Sequence, residues 1–319
     1  MEETGGLYHV LNRGNYRRWI FEEEGAKDAF EATLFEACER AGWVLHGYCV
    51  MGNHFHLALE TPAGNLSEGM RWLQGVYATR FNRYRGEGGH LFQGRYKSLI
   101  VENRERLAWL CHYLHLNPVR AKICGVEELG GYRWSSYWHL QRPKGRPEVL
   151  NPVVCLEGAG GLADTPAGHR KYAEYLAWLS ANEPAQRELA FAKMSRGWAI
   201  GGDTFKRDLI EDEAMERHVI RQTQAEAREV RQIRWAAALA SALKQLGKTQ
   251  AHVKKDLKAA DWKVAVASEL KQRLMCTNPW LGEHLNMGPP AAVCRYIYEA
   301  RRGKRPGAEE LRKNLAGKS

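Results

Sequence analysis

The segment MGNHFHLALE (51–60) places His54 and His56 two residues apart in a short apolar run. In a β-strand, residues i and i+2 lie on the same face, so the two imidazoles are predicted to point one way and Phe55 the other way, into a core. Two imidazoles on one face can share a divalent metal ion if a third ligand comes from elsewhere. Taken alone, the pattern favours the alternative, a pair of half-exposed histidines that bind nothing.

A second pair of polar residues lies in CHYLHLNPVRA (111–121), where Tyr113 and Asn117 are four residues apart. On a helix this spacing places one above the other, at the edge of an apolar stripe formed by the leucines at 107, 110 and 114. Asn117 offers a carbonyl oxygen, which suits a hard cation. Tyr113 offers a hydroxyl that can attack a phosphorus atom, and the alternative for it is a tyrosine that only packs.

The elements that carry these residues follow a regular order, β-α-β-β-α-β-α. Strand-like segments span 7–12, 43–51, 54–60 and 91–101, and helix-like segments span 25–41, 65–84 and 104–118. Gly52 and Asn53 predict a tight turn between the second and third strands. The pattern predicts an α+β fold with a ferredoxin-like, mostly antiparallel sheet and helices on one face.

The composition restricts the class of protein. The chain has 319 residues and a formal net charge of +10, which favours a polyanionic partner such as nucleic acid over a basic surface that binds nothing. Its seven cysteines are odd in number and form no Cys-X-X-Cys pair, which argues for a reducing compartment and against a cysteine-rich zinc module. The absence of a secretory signal and of any apolar stretch near the roughly 20 residues of a membrane span predicts a cytoplasmic protein with no membrane partner.

Three motifs occur together in a fixed order: NHFHL, LFQGRYKS and YLHLNPVRA. With LNRGN, FNRY and YRWSSY, they resemble the single-tyrosine transposases of small insertion sequences. The similarity is greatest to the REP-associated branch of that superfamily, whose genes are linked to repetitive extragenic palindromes. It extends over about residues 5–140, and the combination is specific although each motif alone is weak.

The resemblance implies a metal-dependent enzyme that cleaves and rejoins single-stranded DNA, at hairpins, through a 5′-phosphotyrosine intermediate. At matching positions, Tyr113 is the implied nucleophile, and His54, His56 and Asn117 are the implied metal ligands. The implied cation is Mg²⁺ or Mn²⁺, and its identity stays open because imidazole suits Mn²⁺ or Zn²⁺ better than Mg²⁺. The family usually has Pro where this chain has Gly52, a change that a tight turn tolerates.

Further basic residues are candidates for DNA contacts. Arg95, Lys97 and Arg120 flank the motifs and are candidates to hold phosphates, with a solvated basic face as the alternative. Near the C-terminus, NPWLGEHLN and a second helix beginning at Pro290 have the outline of a helix-turn-helix, and they resemble that motif in longer REP-associated members. Its second helix would present Arg295 to a DNA major groove. The alternative is a helical hairpin that packs on the catalytic domain.

The predicted organisation has four parts. A catalytic domain spans 1–140, a linker and charged helical connector span 141–230, a helical region with the helix-turn-helix spans 231–303, and a basic, disordered tail spans 304–319. Two other functions stay open: a DNA-binding regulator that has lost catalysis, and a zinc hydrolase that uses the histidine pair. A covalent protein–DNA adduct distinguishes the three. The sequence leaves open whether the protein is a monomer or a homodimer.

Overall fold

The structure, a computed structural model, describes residues 4–211 and 224–316. The chain divides into two compact units. Within the described residues, the first unit contains 4–209 and the second contains 210–211 and 224–316. No helix in these described ranges is long and apolar enough to cross a membrane.

The first unit is built on a mixed sheet. Its strands are β1 (Gly6–Arg13), β2 (Val44–Val50), β3 (His54–Thr61), β4 (Lys97–Val101) and β5 (Ala199–Ile200). The order across the sheet is β2-β3-β1-β4-β5. The first three pairings are antiparallel and β4–β5 is parallel. The strands from β1 to β4 therefore confirm the predicted α+β class, and β5 makes the sheet mixed.

Nine α-helices begin within the first unit in the described residues, and the last of them extends two residues past its boundary. They are α1 (Glu24–Ala41), α2 (Leu66–Arg85), α3 (Arg104–His115), α4 (Asn117–Arg120), α5 (Ser136–Leu140), α6 (Val153–Glu157), α7 (Pro166–Ala181), α8 (Glu183–Glu188) and α9 (Asp203–Glu211). Short 3₁₀ turns lie at Asn15–Arg17, Leu129–Gly131, Pro143–Gly145 and Phe191–Lys193. The side chain of Asn103 caps α3 by accepting a hydrogen bond from the backbone N–H of Arg106 at 3.0 Å, which fixes where this helix begins.

Helices cover both faces of the sheet rather than the single face predicted. On one face, Phe55 of β3 packs on Phe30 of α1, with ring centroids 4.7 Å apart. On the other face, Ala58 of β3 shares a buried cluster with Leu107 and Cys111 of α3. Small residues allow α3 to lie close to the strands, since a Cβ added at Gly47 would lie 3.2 Å from the Cys111 sulfur. The second face is the one that carries His54 and His56.

Residues 141–209 are part of the first unit, which corrects the prediction of a linker and connector there. Within α7, Tyr172, Leu176 and Leu179 are buried in the same cluster as α3, at the spacing of one helical face. β5 then extends the sheet by pairing with β4. The Pro and Gly residues at 141–152 predict a linker or an exposed loop, and residues 141–145 are indeed exposed. The buried apolar side chains of α7 nevertheless stabilise a packed structure after this segment. Residues 212–223 of the predicted connector lie outside the described residues.

The described second unit contains six helices, namely α10 (Gln224–Gln245), α11 (Gln250–Lys255), α12 (Asp261–Leu274), α13 (Asn278–His284), α14 (Pro290–Arg301) and α15 (Pro306–Ala316). Helices α13 and α14 occupy the predicted helix-turn-helix segment. Leu281, Leu285, Val293 and Ile297 of this segment are buried in one core, and Gly288 in the intervening turn has a φ of +89°, which glycine adopts without strain.

The predicted disorder of the basic tail is wrong for residues 306–316. These residues form α15, whose Ala308 and Leu315 are buried in the core of the second unit. Arg312 donates hydrogen bonds to Glu309 on the same helix and lies 3.5 Å from the Glu269 carboxylate. Ala308, Leu311 and Leu315 recur at helical spacing among the charges, and that pattern explains why a basic segment packs. Residues 317–319 lie outside the described residues.

Candidate active site

A cleft of about 540 Å³ in the first unit brings the predicted site residues together. It lies where β1, β3 and the segment leading into β4 meet α3. Its lining residues are Leu11, Asn12, Arg13, His54, His56, Gln93, Arg95, Lys97, Tyr113, Asn117 and Ser195. Four residues predicted from two distant motifs (His54, His56, Tyr113 and Asn117) therefore share one cavity.

The two histidines lie side by side on β3, with ring centroids 5.0 Å apart. His54 Nδ1 is 2.7 Å from the Asn53 side-chain oxygen, to which it donates a hydrogen bond. His56 Nδ1 is 2.9 Å from Nε2 of His9 on β1. Each ring thus has its Nδ1 atom engaged, and no hydrogen bond to either Nε2 atom occurs in the described residues.

Burial keeps both imidazoles neutral at pH 7. It lowers the pKa of His54 to about 4, with a further contribution from the charge of Arg13. Burial likewise holds the pKa of His56 well below its usual value, and the neighbouring His9 and His54 add to the effect. A neutral imidazole has a lone pair available for a metal ion, whereas a protonated one does not.

Tyr113 lies on α3, across the cleft from the strands. Its ring packs edge-on against His56, with centroids 6.1 Å apart, and its hydroxyl is 2.9 Å from the Ser195 hydroxyl. The Arg120 guanidinium lies 4.6 Å from the Tyr113 ring centroid, a cation–π contact. Phe191 packs on the ring as well, with centroids 5.5 Å apart. These contacts hold the ring in one place, with 7% of the residue exposed.

Asn117 begins α4, which continues from α3 after Leu116. The backbone N–H of Arg120 donates to the Leu116 carbonyl, so the chain turns helically through this junction and Asn117 stays near Tyr113. Asn117 is 8% exposed and lines the cleft. Its buried side-chain nitrogen has no hydrogen-bond partner in the structure. A buried N–H donor without a partner is costly, and a ligand that brings an acceptor, such as a phosphate oxygen, would offset that cost. A cation would instead use the oxygen of the same side chain.

The structure separates the predicted DNA-binding residues. Arg95 and Lys97 line the cleft. Arg120 does not line it, and instead stacks on the Tyr113 ring. Arg295 belongs to the second unit, where it is exposed on α14 and lies 3.8 Å from the Glu299 carboxylate.

Several residues of the site were not singled out from the sequence. Arg13 lies on the same face of β1 as His9 and Leu11, because the three residues are spaced two apart in the segment YHVLNR. Gln93 lies within LFQGRYKS, one of the motifs that carried the resemblance. Ser195 is 82 positions from Tyr113 along the chain, and no local pattern in the sequence indicates that the two residues meet.

The donors at the cleft fit a divalent cation. Among the described residues, no group of three or more His, Cys, Asp or Glu side chains is arranged to hold a metal ion. A three-ligand site would therefore need the two free imidazole nitrogens together with the Asn117 amide. Imidazole and carbonyl oxygen together suit Mn²⁺ and related divalent ions.

Residues 4–117 match the family model described as "Transposase IS200 like". The family resemblance predicted from the motifs is confirmed over this segment. The matched segment is just over a third of the chain, and it ends at Asn117, so it includes both histidines, the tyrosine and the amide.

A solved structure is also similar to part of this chain. The chain is similar to the structure of a REP-associated tyrosine transposase bound to a REP hairpin, at 15% sequence identity and a TM-score of 0.37. The similarity covers 46% of this chain and 84% of that one, and at this TM-score it transfers neither ligand nor activity to this chain. No curated protein matches the chain.

Proposed function

We propose that the protein is a transposase-like enzyme that cleaves and rejoins single-stranded DNA through a covalent link to Tyr113. The observation that carries the proposal is the shared cleft, which is lined by Tyr113, by the two imidazoles and by the side-chain amide of Asn117. Arg13, Arg95 and Lys97 line the same cleft and supply the positive charge that a DNA strand requires.

His54, His56 and Asn117 would hold a divalent cation, Mg²⁺ or Mn²⁺. When bound, such a cation polarises the scissile phosphate and neutralises the charge that develops on it. The protein contributes the geometry for this site. Burial keeps the imidazoles neutral, the Nδ1 hydrogen bonds hold both rings in place, and the junction of α3 and α4 places the amide in the same cleft as the tyrosine.

Tyr113 would attack the phosphorus through its hydroxyl oxygen. A bond forms between that oxygen and phosphorus, and the bond from phosphorus to the 3′ oxygen of the preceding nucleotide breaks. The tyrosine gives up its proton and the departing 3′ oxygen gains one, so the products are a 5′-phosphotyrosine and a free 3′-hydroxyl. The link keeps the energy of the original phosphodiester, which allows rejoining without ATP.

The geometry favours this function over the two alternatives. A zinc hydrolase needs the histidines but gives no reason for a tyrosine and an unpartnered amide in the same cleft. A regulator without catalysis needs none of the four residues to meet. Since His54, His56, Tyr113 and Asn117 all line one cavity, the enzyme is the better interpretation.

A covalent adduct tests the proposal. The full chain would be incubated with Mn²⁺ and a pool of labelled single-stranded oligonucleotides that share a hairpin and have randomised flanks. We expect a labelled protein band that survives denaturation, and a tryptic peptide containing Tyr113 that carries a 5′-linked nucleotide. Cleavage that yields only free 5′-phosphate ends, with no adduct, would support a hydrolase. DNA binding without cleavage would support the regulator.

We also propose that the second unit binds duplex DNA through α14. Ala291 and Arg295 are exposed on this helix, while Val293 and Ile297 turn into the core, so one face is free along its first two turns. An exposed helix face that carries an arginine in its second turn is compatible with the way in which helix-turn-helix proteins place a recognition helix in a major groove.

Arg295→Ala in the full chain is expected to weaken binding to duplex DNA by about 5- to 150-fold, because a lost arginine contact to a base costs about 1–3 kcal/mol. Cleavage of saturating single-stranded substrate should be unchanged. Lys244→Ala removes the same charge from an exposed position on α10 and is the matched control. Equal, small losses of duplex-DNA affinity in both variants would show a non-specific effect of charge and contradict base recognition by α14. Fluorescence anisotropy with random-sequence and selected duplexes provides the measurement.

A further inference from the structure

His9 is buried in the first unit, near the middle of β1, and both of its ring nitrogens are engaged. It is directly opposite Ala58 in the β1–β3 pairing, so it lies on the sheet face that carries His54 and His56. Its Nδ1 is 2.8 Å from the Met194 carbonyl oxygen. Its Nε2 is 2.9 Å from His56 Nδ1. The side chain is fully buried, and its two hydrogen-bond partners are a carbonyl oxygen and an imidazole rather than a carboxylate, so the ring is neutral and carries one proton.

These contacts determine where each proton lies. A carbonyl oxygen can only accept a hydrogen bond, so His9 Nδ1 carries the proton and donates it to Met194. His9 Nε2 is then bare and can only accept. The proton between the two rings must therefore lie on His56 Nδ1, which leaves the lone pair of His56 on Nε2.

We propose that His9 is a positioning residue that holds His56 in its Nδ1–H tautomer, so that His56 offers Nε2 to a metal ion in the cleft. The inference rests on the proposed metal site. In protein metal sites, the outer hydrogen bond of a histidine fixes its tautomer and ring orientation. Here a neutral imidazole has that role, and the Met194 carbonyl fixes the imidazole in turn.

The neighbouring ligand has an independent partner of the same kind. Asn53 Nδ2 donates to the Arg17 carbonyl at 3.3 Å, which turns the Asn53 oxygen toward His54 Nδ1. The same logic leaves the His54 lone pair on Nε2. Because the two outer partners lie on different segments, a change at His9 should alter His56 and leave His54 as it was.

The segment that anchors His9 lies beyond the family match, which ends at residue 117. Met194 supplies the carbonyl to His9, and the adjacent Ser195 meets the hydroxyl of Tyr113. One short segment next to the Phe191–Lys193 turn therefore contacts the outer partner of one proposed ligand and the proposed nucleophile directly. This connection gives residues 141–209 a role in ordering the site.

Tautomers can be read directly in metal-free, full-length protein labelled with ¹⁵N-histidine. Two-bond ¹H–¹⁵N spectra at pH 7 distinguish the Nδ1–H from the Nε2–H form. We expect His56 and His54 both as Nδ1–H in the wild type. In His9→Phe, which has no acceptor, His56 should shift toward Nε2–H while His54 is unchanged. In His9→Gln, whose side-chain oxygen can accept the same hydrogen bond, His56 should stay Nδ1–H.

Mn²⁺ binding, followed by electron paramagnetic resonance, provides the second measurement. His9→Phe should bind Mn²⁺ roughly 10–100-fold more weakly than wild type, the usual effect of losing such an outer partner, and His9→Gln should recover most of the affinity. The inference is overturned if wild-type His56 is in the Nε2–H form, a result that needs no variant to fold. It is also overturned if His9→Phe leaves the tautomer or the affinity unchanged. A wild-type protein that binds no Mn²⁺ but has the expected tautomers would contradict the proposed metal site instead.

Discussion

Tyr113→Phe should abolish both the cleavage of single-stranded DNA and the covalent adduct. The substitution removes only the hydroxyl that would bond to phosphorus, and loss of a covalent nucleophile reduces turnover by as much as roughly 10⁶-fold. The Phe ring keeps its contacts with Phe191, His56 and the Arg120 guanidinium. The hydrogen bond to Ser195 is lost, at a cost of only about 0.5–1.5 kcal/mol. Folding and DNA binding should therefore be nearly unchanged.

A matched control separates the nucleophile from a general effect of removing a hydroxyl. Tyr84 is 77% exposed at the end of α2 and does not line the cleft, so Tyr84→Phe should cleave like wild type. Gel analysis of end-labelled DNA under denaturing conditions measures cleavage and adduct together. An adduct formed at the normal rate by Tyr113→Phe would show that another residue attacks. Tyr96 would be examined first, since the Tyr77 hydroxyl is buried and donates to the Ile20 and Ala26 carbonyls.

Local patterns made the four central residues candidates, and the family resemblance supplied their roles. Period-two alternation placed His54 and His56 on one face of a strand, and the spacing of four placed Tyr113 beside Asn117 on helical backbone. Both expectations agree with the structure, in which all four line one cleft. The period-two pattern along β3 does not show which face of the sheet α3 covers. If all helices lay on the face that Phe55 packs into, α3 and its Tyr113 would be on the opposite side of the sheet from the histidines.

The apolar character of β2 indicates that both faces of the sheet are covered. The segment WVLHGYCVM is apolar on both sides, and a strand of that kind is covered on both faces in a folded protein. Gly47 leaves room for Cys111 of α3 on the second face. The family resemblance, which names residue roles, could not replace this argument, because it does not state which surfaces are buried.

The remaining differences arise from contacts between distant parts of the chain. Residues 141–152 have the composition of a linker, yet the apolar stripe of α7 packs on α3 and brings β5 to β4. Through that packing, Met194 reaches His9 and Ser195 reaches Tyr113, over separations of 185 and 82 positions. No local window of sequence contains both members of such a pair. In the basic tail, three apolar positions outweighed the charge, since one buried face is enough to hold a helix.

Removal of the proposed metal ligands should have an effect nearly as large as loss of the nucleophile. His54→Ala and His56→Ala each take one of two imidazoles from a three-ligand site, and each should lower cleavage by orders of magnitude while single-stranded DNA still binds. EDTA should stop cleavage by the wild type, and Mg²⁺ or Mn²⁺ should restore it. His90→Ala is the control, because His90 is exposed and does not line the cleft. Full activity in EDTA would exclude the metal and leave the histidines as residues of the sheet.

Asn117 allows a sharper version of the same experiment, because its role can be removed or kept with little change in volume. Asn117→Leu removes the oxygen and should lower cleavage and Mn²⁺ affinity together. It should not destabilise the fold, since the Asn117 side-chain nitrogen is buried without a partner and an apolar group of similar shape avoids the cost of an unsatisfied amide. Asn117→Asp supplies a carboxylate, the ligand that hard cations prefer, and should retain metal binding. Asn117 would be identified as a metal ligand if the Leu variant is more stable and inactive while the Asp variant binds Mn²⁺. Equal activity in both variants would contradict that role for Asn117.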